Sequence, residues 1–302
     1  MRHGRYPFIV GFLVAPVTLY VVFVIAPYAQ AFYISMTNWR GFAPPTWAGF
    51  DNYKRMAGDG AFWKAIEHHL VMLITLPLVT IAIALFFAFL LNLGGRSRGS
   101  TMSGVWGSKF YRVVFFFPQL LALPIIAVLF GMVYRPNSSG LIDGVLIKLG
   151  LAPVGWLINP KLALWAVIAV LVWQAVGFYV VLFSAGMASI PKDIFEAAEL
   201  DGAPQSTLFF RVTLPLLWDT LQVAWVYLGI AAFDGFAIVD VLTVDQGGPD
   251  NNTTVLAEQI YQNAFKFGKF GYASAMGVAL FFLTITFAAL TLRVTRRETI
   301  EL

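Results

Sequence analysis

Residues 6–39 contain no charged side chain. A run of that length narrows the possible folds more than any other feature of the chain. An α-helix rises about 1.5 Å per residue, so roughly 20 apolar residues cross the hydrocarbon of a bilayer. Comparable runs recur at about 70–93, at 113–134, within 162–190, at about 221–242 (interrupted by Asp234) and at about 270–292. Of all residues, 59% are hydrophobic and 12% are charged, against about 25% charged in soluble domains. A soluble core of this size cannot hide so much apolar surface. The chain therefore reads as all-α, a polytopic membrane protein with six transmembrane helices, residues 1–302 forming one domain.

The remaining composition excludes several classes. The net charge of +4 is scattered among the apolar runs, which argues for orientation in a bilayer and against nucleic-acid binding. There is no cysteine, and His3, His68 and His69 alone do not build a zinc site. Arg2 and Arg5 before an apolar run resemble the start of a signal peptide, but the run is far longer than a signal core. Six spans place both termini on one side. Arg2, Arg5, Arg96, Arg98, Lys109, Arg112, Lys192, Arg211, Arg293, Arg296 and Arg297 then share that side, just over half of the 20 basic residues. This bias places both ends in the cytoplasm. The outer segments are 38–68, 135–161 and 243–269, with His68 and His69 as surface groups at the outer interface. Pro16, Pro27, Pro77, Pro118 and Pro124 predict kinked helices.

One interval breaks the apolar pattern. In "SIPKDIFEAAELDGAPQSTLFFRVTLP", Asp193, Glu196, Glu199 and Asp201 crowd between two spans on the cytoplasmic side. Ser189 is a candidate N-cap, Pro191 suits an early helical position and Gly202 suits a helix end. Residues 186–218 thus read as helix, sharp turn, helix. An interfacial helix is the plain alternative, but such helices usually carry a basic face. A docking knob for a cytoplasmic partner fits the acidic face better.

These residues also resemble a known pattern. Glu196-Ala197-Ala198, Asp201-Gly202-Ala203 and the closing Leu214-Pro215 are similar to the cytoplasmic "EAA" loop of permease subunits in binding-protein-dependent ABC importers. The resemblance extends over nearly the whole chain, through "WAGFDNYKRM", "FYRVVFFFPQLLALP" and "GGPDNNTTVLAEQIYQNAF". It points to the carbohydrate-uptake group, and within it to a compact six-span MalF-like (UgpA-like) subunit. The resemblance implies a second, MalG-like permease subunit, two ATP-binding subunits and an extracytoplasmic sugar-binding protein. It implies no cofactor in this chain, with ATP and magnesium held by the partner ATPase. The chain has no G-x-x-x-x-G-K-[ST] run of its own and reads as a transport subunit, not an enzyme.

By the same resemblance, Glu196, Ala197, Ala198, Asp201, Gly202, Ala203 and Pro215 couple to the ATPase. Sugar contacts fall in the middle of the fourth and fifth spans. There Trp173, Gln174 and Tyr179 offer aromatic faces and hydrogen-bonding groups, and Asp234 places a costly charge. Asp234 serves the substrate path or the partner permease. One departure is local: Val244-Asp245-Gln246 separates Thr243 from Gly247-Gly248-Pro249. An ion-coupled secondary transporter would show two related halves, and none is visible. An intramembrane enzyme would need a compact catalytic set. Glycerol phosphate or a polyol is the alternative cargo. The absence of Lys and Arg from the middle of the spans favours a neutral sugar or oligosaccharide.

Overall fold

The computed structural model describes residues 5–93 and 107–294; Arg2, Arg96, Arg98, Arg296 and Arg297, used above for orientation, lie outside the described residues. The first span is helical throughout. Helix α1 (Arg5–Tyr20) passes through a π-helical turn, Val21–Ile25, into α2 (Ala26–Ser35). The wide turn lies just before Pro27, whose ring has no N–H to donate to a carbonyl one turn back. A short α3 (Asp51–Ala57) follows, then α4 (Gly60–Leu93), 34 residues long. Helix α4 begins well before the expected position near residue 70, because Lys64, Glu67, His68 and His69 continue the helix instead of ending it.

The third span is not one rod. Helix α5 (Ser108–Phe116), a 3-10 turn at Phe117–Leu120 and α6 (Leu123–Val133) form a pair bent by 98°. Pro118 opens the turn and Pro124 lies in the first turn of α6, where a missing N–H costs no helical bond. Helix α7 (Leu141–Lys148) precedes α8 (Ala163–Ser189), the fourth span. Next come α9 (Lys192–Leu200), α10 (Gln205–Thr207), a π-helical turn at Leu208–Thr213 and α11 (Leu214–Leu216). Helix α12 (Trp218–Phe233) is bent by 72° from the segment Gln205–Leu216. It stops at Asp234, and α13 (Phe236–Leu242) continues after the break. The expected fifth span at 221–242 is therefore two helices. Short 3-10 turns lead to α14 (Leu256–Tyr261) and α15 (Phe270–Val294). Among the described residues, four helices are long and apolar enough to cross a membrane, or up to six if each bent pair is one span.

The chain divides into two compact units. One comprises 1–63 and 259–283, the other 64–258 and 284–302. In the first, Tyr28 and Phe32 of α2 pack on Phe281, with ring centroids 5.1 and 6.0 Å apart. Asn52 of α3 donates to the carbonyls of Ser35 (2.8 Å) and Thr37 (2.9 Å), closing the C-terminal end of α2. In the second, Met72, Ala84 and Ala88 of α4 and Val167, Val180 and Phe183 of α8 belong to one buried core. Small residues bring the backbones together. Gly177 faces the Phe115 carbonyl so closely that a Cβ would overlap it, and Gly186 faces Leu217 and Thr220. Helices in lipid gain little from hydrophobic exclusion, so this close van der Waals packing holds α5 and α12 to α8.

Gly177→Val should therefore separate α5 from α8 and cost about 3 kcal/mol, the upper range for overpacking. The thermal midpoint of the detergent-solubilised protein measures this. Gly131→Ala, where nothing lies within 4 Å, should leave it unchanged.

Candidate functional site

The acidic interval folds as helix α9 on a firm seat. Its N-cap is Pro191, not Ser189; Ser189 ends α8, and its Oγ donates to the Gly186 carbonyl at 2.8 Å. Phe195 is 4% exposed, and Ile194 and Ala198 pack on the core. Asp193, Glu196, Ala197, Glu199 and Asp201 are exposed, and Leu200 is 89% exposed. Among the described residues, the four carboxylates make no ion pair. The helix ends in a Schellman cap: Ala203 N–H donates to Ala198 O (3.0 Å) and Gly202 N–H to Glu199 O (3.0 Å). Gly202 takes φ +73, a conformation that a side chain disfavours. Nothing lies near its missing Cβ, so the requirement comes from the backbone, not from space.

Beyond the cap, the chain returns to the core through Leu208, which is 1% exposed, and reaches Pro215 on the exposed side of α11. Pro215 has no N–H to donate. The preceding turn widens to π geometry, and the buried Thr213 hydroxyl donates to Leu208 O at 2.9 Å. Glu196, Ala197, Asp201 and Gly202 thus form an outward tip. Ala198 and Ala203 sit on its inner side, and Pro215 lies in α11.

The membrane residues are more dispersed. About 100° per residue around α8 puts Gln174 about 100° and Tyr179 about 240° from Trp173. Trp173 is 44% exposed, packs edge-on against Phe130 at 5.0 Å and lines an apolar groove of about 830 Å3 with Thr75, Phe87, Phe115 and Trp165. Gln174 is half-buried, whereas Tyr179 is buried in the core beside Phe183. Asp234 caps the end of α12, its N–H donating to Ala231 O at 3.0 Å, and its side chain is exposed at the break. Trp173, Gln174 and Tyr179 thus point to different sides of α8.

Residues 64–299 match the family model described as "Binding-protein-dependent transport system inner membrane component". The chain belongs to this family. It is 41% identical over 300 residues to the diacetylchitobiose uptake system permease protein NgcF of Streptomyces coelicolor, covering 98% of this chain and 84% of that one. It is 32% identical over 290 residues to the multiple sugar-binding transport system permease protein MsmF of Streptococcus mutans, covering 95% and 94%. Its fold matches a chain of a bacterial alginate ABC transporter with a TM-score of 0.81 at 20% identity, over 98% and 96% of the two chains. The protein is thus a membrane-embedded permease subunit of an ABC importer, a transport component and not an enzyme. Such a subunit works with a second permease, an ATPase and a substrate-binding protein, and ATP is used by the ATPase.

The permease also holds a polar cluster that the sequence pattern misplaces. His68 and His69 are 7% and 1% exposed, not surface groups, because α4 starts early and turns them inward. His68 Nδ1 lies 2.8 Å from Thr254 O. His69 Nδ1 lies 3.0 Å from Ala232 O, and its Nε2 accepts the Leu256 N–H at 3.0 Å. A carbonyl only accepts, so both rings carry their proton on Nδ1. His69 therefore satisfies an orphan carbonyl at the end of α12 and an orphan amide at the start of α14. Lys64 Nζ donates to Asp250 O at 2.5 Å. The segment so held is strained: Asp245, Gln246, Asp250 and Asn251 all have positive φ, between 52 and 57. The unusual Val244-Asp245-Gln246 stretch is part of it, closed by Gly248 N–H to Val244 O at 2.8 Å. A helical spacing of i, i+4 and i+5 for Lys64, His68 and His69 was the one available signal.

Each buried group that loses its partner costs about 1–3 kcal/mol. His69→Leu strands a carbonyl and an amide, and His68→Leu strands one carbonyl. The first should lower the thermal midpoint of the purified protein clearly more than the second.

Proposed function

We propose that this chain is the MalF-like half of a translocation pathway for a neutral sugar or oligosaccharide, in an ATP-driven importer of a bacterial or archaeal inner membrane. Residues 1–302 act as one permease domain with both termini in the cytoplasm. The other half is a MalG-like permease, two ATP-binding subunits sit beneath, and an extracytoplasmic sugar-binding protein delivers the cargo. The observation that carries this reading is the exposed acidic tip of α9, seated by Phe195 and closed by the cap at Gly202. Relatives named for diacetylchitobiose and for multiple sugars support a sugar as cargo. The lack of Lys and Arg in the middle of the spans weighs against glycerol phosphate, and a polyol is the remaining alternative.

Coupling follows from the geometry of 186–218. Glu196 offers a carboxylate to a cleft in the ATPase, and the exposed Ala197 lets the two surfaces approach. Asp201, Gly202 and Ala203 hold the tip angle through backbone bonds, so force on the tip reaches the core through Ile194, Phe195 and Ala198. Pro215, in α11, closes the loop just before α12. The chain contributes a conformational equilibrium, and ATP shifts it from outside. Along the pathway, Asp234 and Gln174 supply hydrogen-bonding groups and Trp173 an aromatic face, while Tyr179 anchors α8 in the core beside Phe183.

The test is sugar uptake by the assembled complex in proteoliposomes. Gly202→Pro removes an N–H and forbids positive φ. The protein should still assemble in the membrane, with sugar-stimulated uptake lost; uptake at the unaltered rate would remove the coupling role. Asp234→Leu should change uptake kinetics while the ATPases remain bound. Unchanged kinetics would take Asp234 off the pathway.

A further inference from the structure

We infer that the loop at residues 38–47 is an interfacial anchor that lies in the phospholipid headgroup layer, with Phe42 inserted and Arg40 on lipid phosphate. The loop belongs to the unit formed by 1–63 and 259–283 and is built as a closed hairpin. Asn38 N–H donates to Thr46 O and Ala48 N–H to Met36 O, both at 2.8 Å, and Thr37 and Trp47 form an isolated antiparallel bridge. Pro44 and Pro45 stiffen the return. At the tip, Phe42 is 104% exposed, a full apolar ring offered to its surroundings. A soluble loop held this firmly gains nothing from such a ring.

Two seats fix the height of the loop. Trp47 packs on Tyr33 of α2, with centroids 6.4 Å apart. Tyr33 lies on the exposed face of a span, Ile9–Ser35, none of which is buried in its most apolar window. The second seat is the start of α15. Gly271 N–H donates to Trp39 O at 3.2 Å, and the Trp39 and Phe270 rings lie 5.1 Å apart. Gly41 lies against the Phe270 ring with φ +92; a Cβ there would come within 2.7 Å of it. The residue beside Phe42 therefore sits level with the first residue of a membrane helix. The loop lies across the span ends and does not reach away from them. Its apolar surface continues the exposed apolar face of α2, and the cationic Arg40 lies two residues from Phe42, so a phospholipid is the occupant whose chemistry matches both. Phe265 and Phe267, 70% and 59% exposed, and Lys269 over the Phe267 ring carry the same aromatic and basic character along this level. That is the composition of an interfacial belt, and the exposed Arg40 matches phosphate in charge.

The chain has no cysteine, so Phe42→Cys gives one labelling site on this chain. A nitroxide at that position is compared with one at Phe23→Cys, in the span, and one at Ser138→Cys, in an exposed polar turn. The complete complex is reconstituted in vesicles of phosphatidylethanolamine and phosphatidylglycerol. Collision with oxygen, which partitions into lipid, is divided by collision with a water-soluble nickel chelate. The anchor requires a ratio at residue 42 between those at 23 and 138, shifted toward 23. A ratio equal to that at 138 places Phe42 in water and overturns the proposal. Low collision with both reagents means that a protein partner covers the loop, and overturns it equally. Adding Arg40→Glu to the labelled chain should move the ratio toward that of 138. An unchanged ratio would show that the two protein seats alone set the depth and would overturn the phosphate contact.

Discussion

In hydrocarbon no water is present to accept or donate a hydrogen bond, so every backbone group freed by a break must find a partner inside the protein. The breaks in this chain are where its side chains become specific. At the end of α12 the partner is an imidazole. At the start of α15 it is the Trp39 carbonyl. At Leu208 it is the Thr213 hydroxyl, and at the end of α9 the backbone supplies itself through a left-handed glycine. Two prolines, Pro118 and Pro124, fall in first turns where no helical bond is lost, whereas Pro16 and Pro77 lie inside α1 and α4. Helices α8 and α15 run without an internal proline and consist largely of apolar residues, whereas α4 carries Pro77 inside it and its polar cluster at its start.

This arrangement separates rigid bodies from joints. Helix α8 is held against its neighbours through Gly177 and Gly186, which leave no room to slide without losing contact. Helix α9 hangs from the same core by Phe195 and presents only its tip. A push on the tip therefore has a stiff route inward. The bends, by contrast, lie between α5 and α6 and between α11 and α12.

Much of this was legible in the residues. Uninterrupted apolar length marked six spans, and the Glu196–Pro215 pattern marked the family, which residues 64–299 bear out. Gly202 as a helix end was legible because only a left-handed position needs a glycine there. The bent third span was not, since Pro118 and Pro124 read equally well as kinks or as the first residues of new helices. The helix start at Gly60 was also hidden. Polar residues such as Lys64 and His68 suggest an interface by composition, but their partners, Asp250 and Thr254, lie far along the chain. Trp173, Gln174 and Tyr179 read as pathway residues because they share one helix, and the turn of that helix sends them to different surroundings.

The imidazole of His69 bonds to two helix ends at once. A ring has no flexible reach, so the terminus at Ala232 and the beginning at Leu256 are geared together at a fixed spacing. The strained turns between them are then enclosed in a loop whose two feet cannot drift apart. The turns around Gly248 are thus tied through one side chain to the end of α12.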